Sequence, residues 1–384
     1  MARGEIMTSS VTSMRAAGAA LALATLAGCA TATPGGSLDP APTTRSRAAD
    51  CDRACLEGYI DRYFAGLIAD DPTQAPLAPD VRFTENGQLL PLGEGLWKSM
   101  KEAGSYRIFV TDPDAGQVAL ITTVMEDHAD PAQGTPSLLA LRLKVEDGLI
   151  TEIEQVLERT ALPAPSYDSS GRLRPPVPTA AQRVEALGQP RAAFLTSIPQ
   201  AERMSRADLI ATADKYFTGM QMNDGKGDYP FHERCDRIEN GGRSTNLPTP
   251  EGQTRPDPMT SPGYSAQWSC LEQFQSGMLY FVSRIRDRRY VAVDQERGVV
   301  AAFASFDHMA GSTRNFTLPN GRAMTAGPVQ PWTWEILEFF KIEDGRIAEI
   351  EAFLTRPPYG MQSGWSSWED GLSDRARDVT GYTE

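Results

Sequence analysis

The chain has 384 residues, 41% of them hydrophobic and 23% charged, which is enough apolar material for two cores and excludes a chain disordered throughout. Against 37 Lys and Arg stand 50 Asp and Glu, a net charge of −13 with no long basic stripe. Nucleic acid is therefore not an expected partner, because phosphate binding depends on clustered positive charge.

From Met14 the sequence reads M-R-A-A-G-A-A-L-A-L-A-T-L-A-G-C, and Met1, Met7 or Met14 could start it. One positive charge, a short apolar run and small residues before a cysteine are the parts of an export signal, and the run is too short for a permanent membrane span. The L-A-G-C box resembles that of a bacterial lipoprotein signal. In that reading residues 1–28 are removed and Cys29 becomes the lipidated first residue. The protein then faces the periplasm, held at a membrane by its lipid. A plain secretory signal with an incidental cysteine is the alternative, and it too exports the chain. Residues 29–48 are rich in Ala, Thr, Pro and Ser without periodicity and read as a flexible tether.

Four further cysteines in an exported chain read as disulfide candidates. Cys51 pairing with Cys55, and Cys235 with Cys270, is the simplest of three connectivities. The first pair would open a helix, and the second would clamp a long polar insertion onto its domain. No His stands at ligand spacing, so a metal site is not expected.

The same pattern then occurs twice. L-E-G-Y-I-D-R-Y-F-A-G-L from Leu56 matches L-I-A-T-A-D-K-Y-F-T-G-M from Leu209, an amphipathic helix with Tyr63 and Tyr216 in equivalent places. V-R-F-T-E-N-G ending at Gly87 matches C-D-R-I-E-N-G ending at Gly241. Asp112 matches Asp294, and the E-D-G hairpin after Lys144 matches the one after Lys341. The separation between matched positions grows along the chain, from 153 to 154, 182 and 197. Two insertions in the second copy, about 28 and 15 residues long, account for that growth. Each copy reads as a helix followed by strands ending in a long hairpin, in which Gly supplies the positive φ of the turn. Helices first and antiparallel strands afterwards is the α+β pattern.

In this order the helix, the strand ending in E-N-G and the terminal paired strands resemble the nuclear transport factor 2-like superfamily of cone-shaped α+β barrels, in its SnoaL-like branch. The resemblance implies two tandem domains, over 49–160 and 203–356. Single-domain members often dimerise through the open sheet face, so two copies in one chain are expected to pack sheet to sheet as an internal pseudo-dimer. Residues 161–202, with seven prolines from 161 to 200 and a short helix expected around Thr179–Leu187, form the linker. Residues 357–384 form an aromatic tail whose Trp365 and Trp368 are expected to pack against a domain.

The second copy carries more chemistry. It holds two of the three histidines, His232 and His308, and both insertions; the third, His128, lies in a polar loop of the first copy. F-H-E-R-C-D-R-I-E-N-G brings His232, Arg237 and Glu239 close in sequence, and on a strand Cys235, Arg237 and Glu239 share one face. Enzymes of the superfamily, such as ketosteroid isomerases and scytalone dehydratase, use a carboxylate or His as base and a Tyr or acid as donor to an oxyanion, without a metal. By that resemblance Tyr216 is the donor and Glu239 or His232 the base, with Arg237 beside them and no cofactor. Glu239-Asn240-Gly241 reads equally as a plain turn, and Tyr216 equally as a core residue.

Asn240, Arg286, Asp307, His308 and Trp332 are the further candidates for ligand contact. Asp307 and His308 point to opposite faces of a strand, so at most one of them meets a pocket. Arg284, Arg286 and Arg288 alternate and would share a face, either as an anion-binding wall or as a solvated surface. No phosphate loop, G-x-S-x-G elbow, H-E-x-x-H or C-x-x-C motif is present. Two functions fit: a cofactor-independent isomerase, dehydratase or lyase acting on a small apolar hydroxylated or carbonyl compound, or a non-catalytic ligand-binding or assembly module at a membrane.

Overall fold

The computed structural model describes residues 51–127, 135–160, 169–170, 172–174 and 177–382. Cys29, the signal, the tether and His128 lie outside them.

The first repeat opens with α1 (Arg53–Ala69), whose N-cap Asp52 accepts from the Cys55 amide at 2.9 Å. Then come β1 (Leu77–Glu85), β2 (Gln88–Leu89), α2 (Leu96–Ser99), β3 (Met100–Asp112), β4 (Gln117–Glu126), β5 (Thr135–Glu146) and β6 (Leu149–Glu158). The linker contributes α3 (Ala180–Leu187), started by a Thr179–Gln182 capping box, and α4 (Ala192–Leu195). The second repeat is α5 (Arg206–Met220), β7 (Phe231–Glu239), β8 (Gly242–Arg243), α6 (Cys270–Gln275), β9 (Arg284–Asp294), β10 (Val299–His308), β11 (Asn315–Thr317), β12 (Ala323–Thr325), β13 (Trp332–Glu343) and β14 (Arg346–Thr355). The tail adds α7 (Trp368–Leu372) and β15 (Arg377–Asp378).

The strands form two large, mostly antiparallel sheets, ordered β2-β1-β6-β5-β4-β3 and β15-β9-β10-β13-β14-β7-β8. Without β15 the two orders correspond strand for strand, down to the parallel pairing of β1 with β6 and of β7 with β14. Among the described residues both sheets are open, so the architecture there is α+β without a closed barrel. The E-D-G turns are two-residue hairpins, with Asp147 and Gly148 at φ 50° and 77° and Asp344 and Gly345 at 48° and 69°.

Both faces of each sheet are buried, which explains why β4 and β10 are nearly continuous apolar runs. Val118, Leu120 and Val124 face α1, whereas Ala119 and Ile121 face the other repeat. In β10, Val300, Ala302 and Phe306 face the α5 side, and Val299, Ala301 and Phe303 join Ile108, Val110, Leu138 and Ala140 in a shared core between the sheets. Within that core Arg289 of the second repeat donates twice to Glu154 of the first, at 2.9 and 2.7 Å. Pairing at this depth offsets the desolvation of both charges.

The tail runs along the seam. Trp365 is buried, with its Nε1 donating to Thr84 Oγ1 at 2.8 Å, and β15 covers the free edge of β9. Trp368, in contrast, is 67% exposed. It begins a one-turn helix that carries the ring away from the seam, so the expectation of packing fails for this residue. The two insertions of the second repeat meet each other. Trp268 and Met278 from the first pack on Phe316 and Leu318 from the second, and the Tyr280 and Phe316 rings stack at 5.1 Å.

Candidate functional site

The period of two along β13 puts Trp332, Trp334, Ile336, Glu338 and Phe340 on one face, turned toward α5. Ile336 and Phe340 join the core beneath Tyr216 and Phe217 of that helix, with the Tyr216 and Phe340 rings 5.2 Å apart. Phe306 and His308 of β10, and Cys235, Arg237 and Glu239 of β7, share this concave surface.

A polar chain runs through it. The Arg237 guanidinium is buried and donates to the Tyr216 hydroxyl at 2.9 Å, the Tyr264 hydroxyl at 2.8 Å, Gln273 Oε1 at 2.9 Å and Ser244 Oγ at 2.9 Å. Glu239 Oε1 lies 3.0 Å from its Nε. Tyr216 in turn hydrogen-bonds Glu338. Burial pushes the Glu338 carboxyl up to about 8, against the pull of Arg237, so it holds a proton at neutral pH. Its Oε2 has no partner among the described residues. Burial also raises the Tyr216 phenol well above its usual range. Tyr216, Arg237 and Glu239 are thus brought together, and Glu338 joins them unannounced by any motif. Its signal in the sequence was slight: a lone acid on a strand face otherwise read as Trp, Ile and Phe.

His232 is not part of the group. The period of two turns His232 away from Cys235, Arg237 and Glu239, while its neighbour Phe231 joins the core with Cys235. Its Nδ1 accepts from the Arg234 amide at 3.2 Å, at the surface.

The chain ends at a cleft of about 320 Å³. Glu239, Asn240, Trp334, Leu354 and Arg356 of the second repeat line it, and Glu158 of the first repeat and Arg183 of α3 close one side. Asn240 and Gly241 form the turn with φ of 45° and 72°, and the Asn240 side chain ties β7 to both backbone groups of Leu354, at 2.8 and 2.9 Å. At the rim His308 stacks on Trp332, with centroids 3.6 Å apart and planes at 10°, and the Trp334 ring stands across Trp332 at 4.5 Å. The Arg356 guanidinium lies 4.3 Å from the Trp332 ring. His308 is fully buried and burial pulls its imidazole down to about 4, so the ring is neutral. Its Nδ1 donates to the Phe306 carbonyl at 3.1 Å, which leaves Nε2 an acceptor without a partner among the described residues.

Arg286 and Asp307, expected to contact ligand, serve the structure instead. Asp307 points to the opposite face of β10 from His308 and accepts from Arg284, Arg286 and Thr333. Burial alone would raise its carboxyl, but these donors hold it below the usual range. Arg286 also donates to the tail carbonyls of Met361 and Gly371. The three alternating arginines do not share a face, because Asp287 takes a positive φ of 53° in a bulge of β9. Arg284 and Arg286 reach Asp307, whereas Arg288 turns to Asp214 and Thr218 of α5. They form neither an anion-binding wall nor a solvated surface.

Two disulfides, Cys51–Cys55 and Cys235–Cys270, point to an oxidising, exported compartment. The second fastens β7 to α6, which carries Gln273 to Arg237. Among the described residues no helix is long and apolar enough to cross a membrane, and no group of His, Cys, Asp and Glu is arranged for a metal ion.

A larger cleft, of about 790 Å³, lies at the seam between the repeats. It is acidic, but Asp112 and Asp294, its buried carboxylates, are paired with Arg206 and Arg53.

Residues 49–157 and 202–354 match the family described as Domain of unknown function (DUF8021), and the chain belongs to that family as a tandem duplication. No curated protein matches the sequence.

Proposed function

We propose that this DUF8021 chain is an exported protein, held at a membrane by lipid on Cys29, whose second repeat binds a small molecule at the mouth of its concave face. Residues 49–160 and 203–356 are read as two open cones of the nuclear transport factor 2-like, SnoaL-like kind, set back to back as an internal pseudo-dimer. One observation carries the binding reading. The 320 Å³ cleft is floored by Trp334 and edged by Glu239 and Arg356, while Arg237 and Tyr216 lie sealed beneath Tyr264 and Gln273. Aromatic surface beside a few convergent polar groups is the usual make-up of a ligand pocket. The test is a thermal-shift screen of the purified exported protein against small hydroxylated, carbonyl and carboxylate compounds, repeated with Trp334→Ala. Ligands that raise the melting temperature of wild type and of Trp334→Ala equally would remove the cleft from the reading.

A second reading is supported by Glu338, a carboxylic acid that keeps its proton beside the Tyr216 hydroxyl. A neutral acid and a tyrosine, with Glu239 as base, are the groups a cofactor-independent isomerase, dehydratase or lyase would use. Turnover of a screened ligand that is lost in Glu239→Gln while binding persists would favour it. Binding without turnover in either protein favours the binding module.

A further inference from the structure

The two repeats treat one arginine in opposite ways. Arg159 and Arg356 follow β6 and β14 at matching positions, and the strand registers agree: Leu138 pairs with Glu158 as Glu335 pairs with Thr355. In the first repeat Arg159 is held by two carboxylates, Glu85 at 2.8 Å and Glu126 at 2.9 Å.

In the second repeat neither carboxylate holds the arginine. Glu126 is replaced by His308, which burial keeps neutral and which stacks on Trp332. Glu85 is replaced by Glu239, but Arg237 stands where the first repeat has Phe83 and takes that carboxylate at 3.0 Å. Among the described residues Arg356 has no carboxylate partner. Its exposed guanidinium lies against Trp332 and lines the cleft. One cleft wall is thus a cation from which the duplicated scaffold has removed one anion and engaged the other with Arg237, set beside an aromatic floor.

We infer that the ligand of this cleft is a small organic carboxylate, bound through its two oxygens by Arg356, with its apolar body on Trp334 and Leu354. This rests on the cleft being a binding site. A planar guanidinium matches a carboxylate in a paired, two-bond geometry, and stacking on an aromatic ring limits its motion beforehand. Glu158 Oε2, buried without a partner among the described residues, accepts from a hydroxyl or amine elsewhere on the same ligand.

The test is calorimetry and tryptophan fluorescence on the exported protein with benzoate, 4-hydroxybenzoate, benzamide and inorganic phosphate, in wild type, Arg356→Gln and Trp334→Ala. Arg356 is exposed, so its replacement leaves the fold intact. The expected result is binding of the carboxylates, at least about tenfold weaker binding of benzamide, and a loss of about tenfold or more for the carboxylates in Arg356→Gln. Equal binding of benzoate and benzamide, or carboxylate binding unchanged in Arg356→Gln, overturns the assignment. If Trp334→Ala still abolishes that binding, the cleft stands as a site and only the ligand class fails. Phosphate that binds as tightly as the carboxylates and displaces them overturns the organic carboxylate in favour of a simple anion. Carboxylates that fail to bind wild type at millimolar concentration overturn it as well.

Discussion

The Arg53 guanidinium of the first repeat meets the Asp294 carboxylate of the second at 2.6 Å, and the same pair recurs with the repeats exchanged, Arg206 of the second meeting Asp112 of the first. Arg53 matches Arg206, and Asp112 matches Asp294, so each bond is the counterpart of the other with the repeats exchanged. Each carboxylate is buried. Removing either arginine would leave a charge without its partner, at a cost of about 2–3 kcal/mol. Arg53→Ala and Arg206→Ala are each expected to lower the urea unfolding midpoint, and an unchanged midpoint in either would show that the pair contributes nothing to holding the repeats together.

The Cys235–Cys270 bridge closes a segment with a sequence separation of 35, whereas Cys51–Cys55 spans a separation of 4. Chain entropy assigns the longer bridge about 3–4 kcal/mol and the shorter about 2 kcal/mol. Replacing Cys235 and Cys270 together with Ser should therefore lower stability more than the same change at Cys51 and Cys55. It should also raise the protease sensitivity of the first insertion. Equal losses in denaturant titrations would contradict this ranking.

The contribution of Glu338 to stability is expected to fall as pH rises through the neutral range. Between the ordinary carboxylate range and about 8, folded Glu338 keeps a proton that the unfolded chain has released, so rising pH favours unfolding. Arg237, Tyr216 and Glu239 face this carboxyl, and Glu335, raised by burial to about 7 at the sheet interface, adds a dependence of the same sign. Glu338→Gln removes the titration while keeping the shape. Its melting temperature should fall less than that of wild type from about pH 5 to about pH 9, and superimposable profiles would refute the assignment.

The two tail tryptophans should separate sharply. Trp365 is 4% exposed and Trp368 is 67% exposed. Trp365→Ala is expected to cost about 3–5 kcal/mol through the cavity it leaves and the lost bond to Thr84. Trp368→Ala should change stability by no more than about 0.5 kcal/mol. Comparable losses in chemical denaturation would mean that the tail is anchored elsewhere.

Features set by neighbouring residues were legible before any fold was known. The E-N-G and E-D-G turns announce themselves because an Asp or Asn followed by Gly satisfies two positive φ angles locally. Arg237 and Glu239 share a face because a strand alternates, and they do form an ion pair. The same rule misled for Arg288, since a bulge at Asp287 interrupts the period. Glu338 was passed over because nothing local marks a glutamate as buried.

The sequence by itself determined that one α+β unit occurs twice, that the second copy holds two insertions and that the cysteines could pair as they do, because all of these depend on order and spacing along the chain. Only the tertiary structure decided which copy, among the described residues, leaves this arginine without a carboxylate. Whether Arg356 is neutralised depends on His308, Glu239 and Arg237, residues 48 to 119 positions away, and on which of them reaches the others first. Charges compete for partners through space, and that competition is settled by packing.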